Sequence, residues 1–79
     1  MNIADFLRNF EELLELAPET LTGTETLDEL ETWDSLAIIG FLAMADDRYG
    51  ARLTGGRISA CESVQDLFEL VQSAAVAAA

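Results

Sequence analysis

Seventy-nine residues with 15 acidic and four basic side chains carry a formal net charge of −11, which is length for one small core and a surface field that repels nucleic-acid phosphates. The absence of His and Lys and the presence of a single Cys61 exclude an imidazole base, a Schiff-base amine, an internal disulfide and a Cys/His zinc site. Few routes to self-contained catalysis remain, and an apolar fraction of 51% sets the chain apart from acidic disordered segments.

From Asn2 to Leu16, Ile3, Phe6, Leu7, Phe10, Leu13 and Leu14 recur at three- and four-residue steps with acids between them. The spacing predicts an amphipathic helix with Asn2 as its N-cap, ending near Leu16 ahead of Pro18. Thr20 to Thr32 has no sustained period. It is read as a long loop, partly anchored by Leu27 and Leu30, and a connection of that length tends to be functional or disordered.

The stretch Ser35 to Tyr49 lacks Pro and is the second predicted helix, with Gly50 placed to stop it. Ile38, Ile39, Leu42, Ala45 and Tyr49 are read as one side. The other carries Leu36, Ala37, Gly40, Ala43, Met44 and Asp47, which is small and apolar for a face that meets water. Gly55 and Gly56 then signal a turn, and Arg57 to Ala60 has room for about one helical turn. Ser63 and Asp66 form a capping box ahead of Val64, Leu67, Phe68 and Val71. The Ala-rich tail either extends this last helix or frays. Three principal helices and one short one make an antiparallel all-α four-helix bundle, expected to be a single domain over residues 1–79.

One position carries chemistry. Trp33-Asp34-Ser35-Leu36 lies where the long loop meets the second helix. Local spacing leaves two readings open: Asp34 and Ser35 only cap the helix, or Ser35 bears a phosphate that the orphan N–H groups and positive end of the helix favour.

With Asp34-Ser35-Leu36 opening the second helix, the acidity, the long loop, the short third helix and Val64-Gln65-Asp66-Leu67 opening the last, nearly the whole chain resembles the acyl carrier proteins. The resemblance implies that Ser35 carries covalent 4′-phosphopantetheine, installed from coenzyme A by a separate phosphopantetheinyl transferase, and that acyl groups travel on it as thioesters. The chain then needs no catalytic residue and no metal site of its own, and Asp34 is either the contact of the transferase or its metal, or a helix cap. An acyl chain is expected between the second and third helices against Ile38, Ile39, Leu42 and Ile58. Acidity is read as steering toward acyl-transferring or condensing enzymes with basic docking patches, or simply as a source of solubility.

The sequence also departs from the family pattern. The second helix has acids only at its ends, so partner contact is expected to rest on an apolar face of Leu36, Ala37, Gly40 and Met44 with Asp47, and Gly40→Glu is expected to alter partner choice without loss of helix. Trp33 stands where fatty-acid synthesis carriers commonly have Gly. Trp-Asp-Ser-Leu resembles carriers of specialised lipid, polyketide or polysaccharide-linked pathways, and Trp33 is either a core lid or a contact beside the arm. Cys61 is read as structural, and Arg48, Arg52 and Arg57 as partners of Asp46, Asp47 and Glu62. A cytosolic monomer with no membrane span is expected. An aminoacyl or peptidyl carrier and an unmodified interaction module of the same fold remain alternatives. A calcium-binding domain fails because the acids lack alternating ligand spacing.

Overall fold

Four helices form wherever the apolar period of the chain is sustained, and a computed structural model describes the backbone of residues 2–78 and the side-chain surroundings of residues 2–75. They are α1 (Ile3–Leu13), α2 (Ser35–Tyr49), the five-residue α3 (Gly55–Ser59) and α4 (Val64–Ala78), with one 3₁₀ turn at Leu27–Glu29. The all-α architecture with a short third helix follows the sequence reading. α2 packs against each of the other three helices, so the residue that opens it is held by most of the fold.

Phe6, Phe10, Phe41, Ile58, Leu67, Val64 and Val71 are fully buried and fill the centre. Four aromatic rings meet edge-on there: Phe6 lies 5.3 Å from Phe68 and 6.1 Å from Phe41, and Phe10 lies 5.5 Å from Phe41. Each such side chain contributes about 1.5–3 kcal/mol by leaving water, and the ring geometry adds about 0.5–1.5 kcal/mol per pair.

α1 begins on Asn2, whose side chain accepts the Ala4 N–H at 2.7 Å. It ends at Leu13, three residues before the predicted Leu16. The cause is a reversal at Glu15, which adopts the left-handed conformation (φ 59°). The Leu16 N–H turns back to the Glu11 carbonyl at 2.8 Å and the Glu15 N–H to the Glu12 carbonyl at 3.2 Å, a Schellman closure with Glu where Gly is usual.

The long loop is fastened more firmly than its composition suggests. Leu21 and Leu27 are buried, Leu30 is half-buried, and the Leu27 N–H donates to the Glu62 carbonyl while the Val64 N–H donates to that of Glu25. Glu25 gathers the Thr22 and Gly23 N–H groups, both at 2.9 Å.

A second clasp holds the α1 end of the loop. The Glu11 carboxylate is buried and accepts Arg8 Nε at 2.7 Å, Arg8 Nη2 at 3.0 Å, the Leu21 N–H at 2.7 Å and the Glu19 N–H at 3.1 Å. Burial pushes the Glu11 carboxyl upward, but the Leu21 N–H, Arg8 and the Glu19 N–H outweigh it and hold the group below its ordinary value. Glu25 is lowered in the same sense: its burial is outweighed by hydrogen bonds from Thr22, its own N–H and Gly23.

Two local expectations are corrected further along. Gly55 and Gly56 are the first turn of α3 and not a turn before it, because Thr54 is the cap and accepts the Arg57 N–H on its hydroxyl. Arg48 reaches Asn9 (2.6 Å) and Glu12 (3.9 Å) on α1 instead of Asp46 or Asp47, because its position on α2 faces α1. Arg52 does approach Asp46, at 4.0 Å, with both side chains exposed. The Ser63–Asp66 box forms as read: the Asp66 N–H donates to Ser63 Oγ at 3.1 Å, and Asp66 Oδ2 accepts the Ser63 and Glu62 N–H groups. α4 continues through the Ala-rich stretch to Ala78.

Candidate functional site at the start of α2

The tip of α2 is built from a half-buried anchor, a cap and an open hydroxyl in consecutive positions. Trp33 packs edge-on against Phe10 (5.5 Å) and Phe41 (5.8 Å), and its backbone N–H closes a turn onto the Leu30 carbonyl at 3.0 Å. Of its two sequence readings, the core lid is the one with contacts. Asp34 is extended, and its Oδ1 accepts the Ala37 N–H at 2.9 Å. The cap is therefore Asp34, which leaves Ser35 as the first helical residue, exposed to solvent.

This geometry suits an anion on Ser35. The first N–H groups of a helix have no intrahelical acceptor, and the aligned peptide dipoles amount to roughly half a positive charge at that end. The Asp34 carboxylate opposes a second negative charge, but it is engaged by the Ala37 N–H. Among the described residues no side-chain base is hydrogen-bonded to the Ser35 hydroxyl, the contact that activates a nucleophilic serine. No cluster of three or more potential metal ligands occurs among the described residues, and no helix among them is long and apolar enough to cross a membrane.

The residues expected to line α2 divide differently from the sequence reading. At about 100° per residue, Ile39 lies just over a quarter turn from Ile38 and is 63% exposed, beside Leu36 at 75%. The side facing the core is instead centred on Phe41 and Ala45, and Phe41 was absent from either predicted face. The expected acyl-lining set therefore separates: Ile58 is fully buried, Ile38 and Leu42 are half-buried at the core margin, and Ile39 stands in solvent. The expected partner face separates as well. Leu36 and Asp47 are exposed, whereas Ala37, Gly40 and Met44 are half-buried toward α1. Gly40 sits so close to Leu13 that a Cβ on it would lie 2.8 Å from Leu13 Cδ1, which is why Gly40 is not an open surface position. The exposed residues of α2 are Ser35, Leu36, Ile39, Ala43, Asp46, Asp47 and Arg48.

Cys61 is half-buried, and burial followed by the nearby Asp66 charge pushes its thiol up, the direction that disfavours the reactive thiolate.

A family model described as the phosphopantetheine attachment site matches residues 4–71. The chain belongs to that family. Membership implies a covalent 4′-phosphopantetheine group, and with it encounters with the transferase that installs the group and with acyl-handling enzymes in general. Carrier domains of this kind are not themselves catalytic. No curated protein and no solved structure gives a significant match.

Proposed function

We propose that Ser35 is the residue that bears the phosphopantetheine group, and that residues 1–79 act as one acyl carrier unit moving thioester-bound intermediates between enzymes of a fatty-acid, specialised lipid or polyketide pathway. The observation that carries this reading is the division of labour at the helix tip. Asp34 supplies the cap, so the Ser35 hydroxyl is neither spent on the backbone nor covered by a neighbour. Loading joins Ser35 Oγ to phosphorus, breaks the coenzyme A pyrophosphate, releases the adenosine bisphosphate and passes the hydroxyl proton to a base of the transferase. The flexible arm then supplies the thiol that holds acyl groups as thioesters.

Asp34 is assigned a second role as the transferase contact. The exposed strip from Leu36 to Asp47 supports docking by acyl-transferring or condensing enzymes with apolar or basic patches: Leu36 and Ile39 offer apolar contact, and Asp46 and Asp47 offer charge at the far end. A net charge of −11 speeds encounters with basic surfaces and opposes self-association, in keeping with a monomer. One free, half-buried thiol suits a reducing, cytosolic setting.

The test is an intact mass after coexpression with a broad-specificity phosphopantetheinyl transferase. Wild type should gain the phosphopantetheine increment and Ser35→Ala should not. An unmodified wild type would sink the carrier reading in favour of an interaction module, and increments on both proteins would move the attachment to another residue.

A further inference from the structure

Between Leu30 and Ala37, the residues Glu31, Thr32, Asp34, Ser35 and Leu36 are all exposed, and Trp33 alone has cover. The chain therefore enters α2 with a single side chain seated in the rest of the molecule. That seat is specific. The Trp33 ring meets Phe10 of α1 edge-on at 5.5 Å and Phe41 of α2 at 5.8 Å, and those two rings meet each other at 5.5 Å, so the three close a triangle. Phe41 lies inside α2, beyond its first turn. The ring thus folds back along the helix that its own backbone is about to start.

The backbone beside the ring is fixed on both sides. The Trp33 N–H donates to the Leu30 carbonyl at 3.0 Å. Asp34, the next residue, accepts the Ala37 N–H on Oδ1 at 2.9 Å and the Ile38 N–H on its carbonyl at 3.0 Å. An apolar side chain packed across the start of a helix sets the angle at which the chain arrives, as a hydrophobic staple does. That angle decides whether Asp34 reaches the Ala37 N–H. Without the ring, the exposed Ser35 and Leu36 turn keeps only its cap, and helix ends held so lightly open locally.

Resting on the reading of Ser35 as the attachment point, we propose that Trp33 is a positioning residue for loading: its ring, clamped against Phe10 and Phe41, keeps the first turn of α2 formed so that the transferase meets Ser35 on an ordered helix. The transferase binds the ordered turn, and its apparent affinity is the intrinsic one scaled by the fraction of chains in which that turn is formed. Loss of the ring then acts on KM and leaves kcat, because a chain once bound presents the same serine in the same place.

The experiment follows loading from coenzyme A by a broad-specificity phosphopantetheinyl transferase, with the product and its site read by mass, at a temperature where circular dichroism shows each variant folded. Trp33→Leu keeps an apolar side chain without a ring and should raise the KM for the carrier roughly five- to tenfold with kcat within about twofold. Trp33→Phe restores a ring and should recover most of the difference. Should Trp33→Leu fail to fold, the same result is read from Trp33→Met, whose adaptable side chain fills more of the gap. Val71→Ala, at a fully buried position on α4, is the control: it should lower stability without moving KM. On the unmodified chain, the Ala37 and Ile38 N–H groups should exchange faster relative to the Leu42 N–H in Trp33→Leu and not in Val71→Ala. Unchanged loading constants, a fall in kcat alone, or a KM rise shared by Val71→Ala would overturn the positioning role. If wild type loads on Ser35, those outcomes leave the carrier reading standing. If wild type does not load there, both fall together.

Discussion

Gly40 and Leu13 interlock across the α1–α2 contact, with the Leu13 Cδ1 atom 2.8 Å from where a Gly40 Cβ would stand. Gly in the middle of a helix costs about 1 kcal/mol relative to Ala, so Gly40→Ala gains helix propensity while forcing Leu13 aside. Leu13 is half-buried and borders open space, which lets its side chain swing without a backbone shift. The two effects should nearly cancel, with a stability change within about 1 kcal/mol by denaturant titration and a large chemical-shift change at the Leu13 methyls. Gly40→Glu must move Leu13 further, so any change in its partner choice would be mixed with a change in α1–α2 packing.

Glu11→Ala should be among the most damaging single changes outside the aromatic centre. It strands the Leu21 and Glu19 N–H groups and unpairs Arg8. Unsatisfied buried donors cost about 1–3 kcal/mol each, but Arg8 is partly exposed and recovers some solvation, so a loss of about 2–4 kcal/mol is expected from denaturant titration. Proteolysis within residues 15–25 should rise in parallel.

The same group sets an acid limb. Because the folded Glu11 and Glu25 carboxyls sit below their unfolded value of 4.5, their contribution is complete above that value and is lost as pH falls through the folded values. Thermal stability should be level above about pH 5 and decline below it, over the range where carboxylates titrate. Glu11→Gln should start lower at neutral pH and flatten this decline; an unchanged slope would mean that Glu11 is not its source.

Asp34 separates its two roles by substitution. Asp34→Asn keeps a side-chain oxygen for the Ala37 N–H and should change stability by only a few tenths of a kcal/mol, whereas Asp34→Ala should lose about 1 kcal/mol. If both variants load Ser35 slowly in a transferase assay, the carboxylate itself is used by the transferase. If only the Ala variant is slow, capping accounts for the residue.

Glu15→Gly should stabilise the chain. Glu15 holds a left-handed conformation at φ 59° that costs a side-chain-bearing residue roughly 1–2 kcal/mol, and glycine is the usual occupant of that position after a helix. Part of the gain is returned as added freedom in the unfolded chain, so an increase of about 0.5–1 kcal/mol is expected by thermal unfolding.

Features written in short-range chemistry were legible before any coordinates. The bounds of α2 follow from Asp34 in front and Gly50 behind, and the start of α4 from Ser63 and Asp66 three residues apart. The position of Ser35 at a helix tip follows from the same cap. Features that depend on distant backbone were not legible. Glu11 looks like an ordinary surface acid beside Arg8, and its burial becomes intelligible only when Glu19 and Leu21, eight and ten residues on, bring their N–H groups to it. At about 100° per residue Ile39 lies at one margin of the side centred on Ile38, Leu42, Ala45 and Tyr49 and Phe41 at the other; the angle alone does not say which margin is covered, and packing against Phe6 and Phe10 decides for Phe41. Gly55 and Gly56 concealed the start of α3, whose cap, Thr54, was the usable signal.

α3 is pegged to the rest of the molecule by one side chain, Ile58, while Gly55, Gly56, Arg57 and Ser59 stand in solvent. Lifting so small a footprint takes far less free energy than melting the whole chain, so deuterium should enter the amides of residues 55–60 well before those of α2. The bundle thus has one pliant corner, set apart from the helix that begins at Ser35.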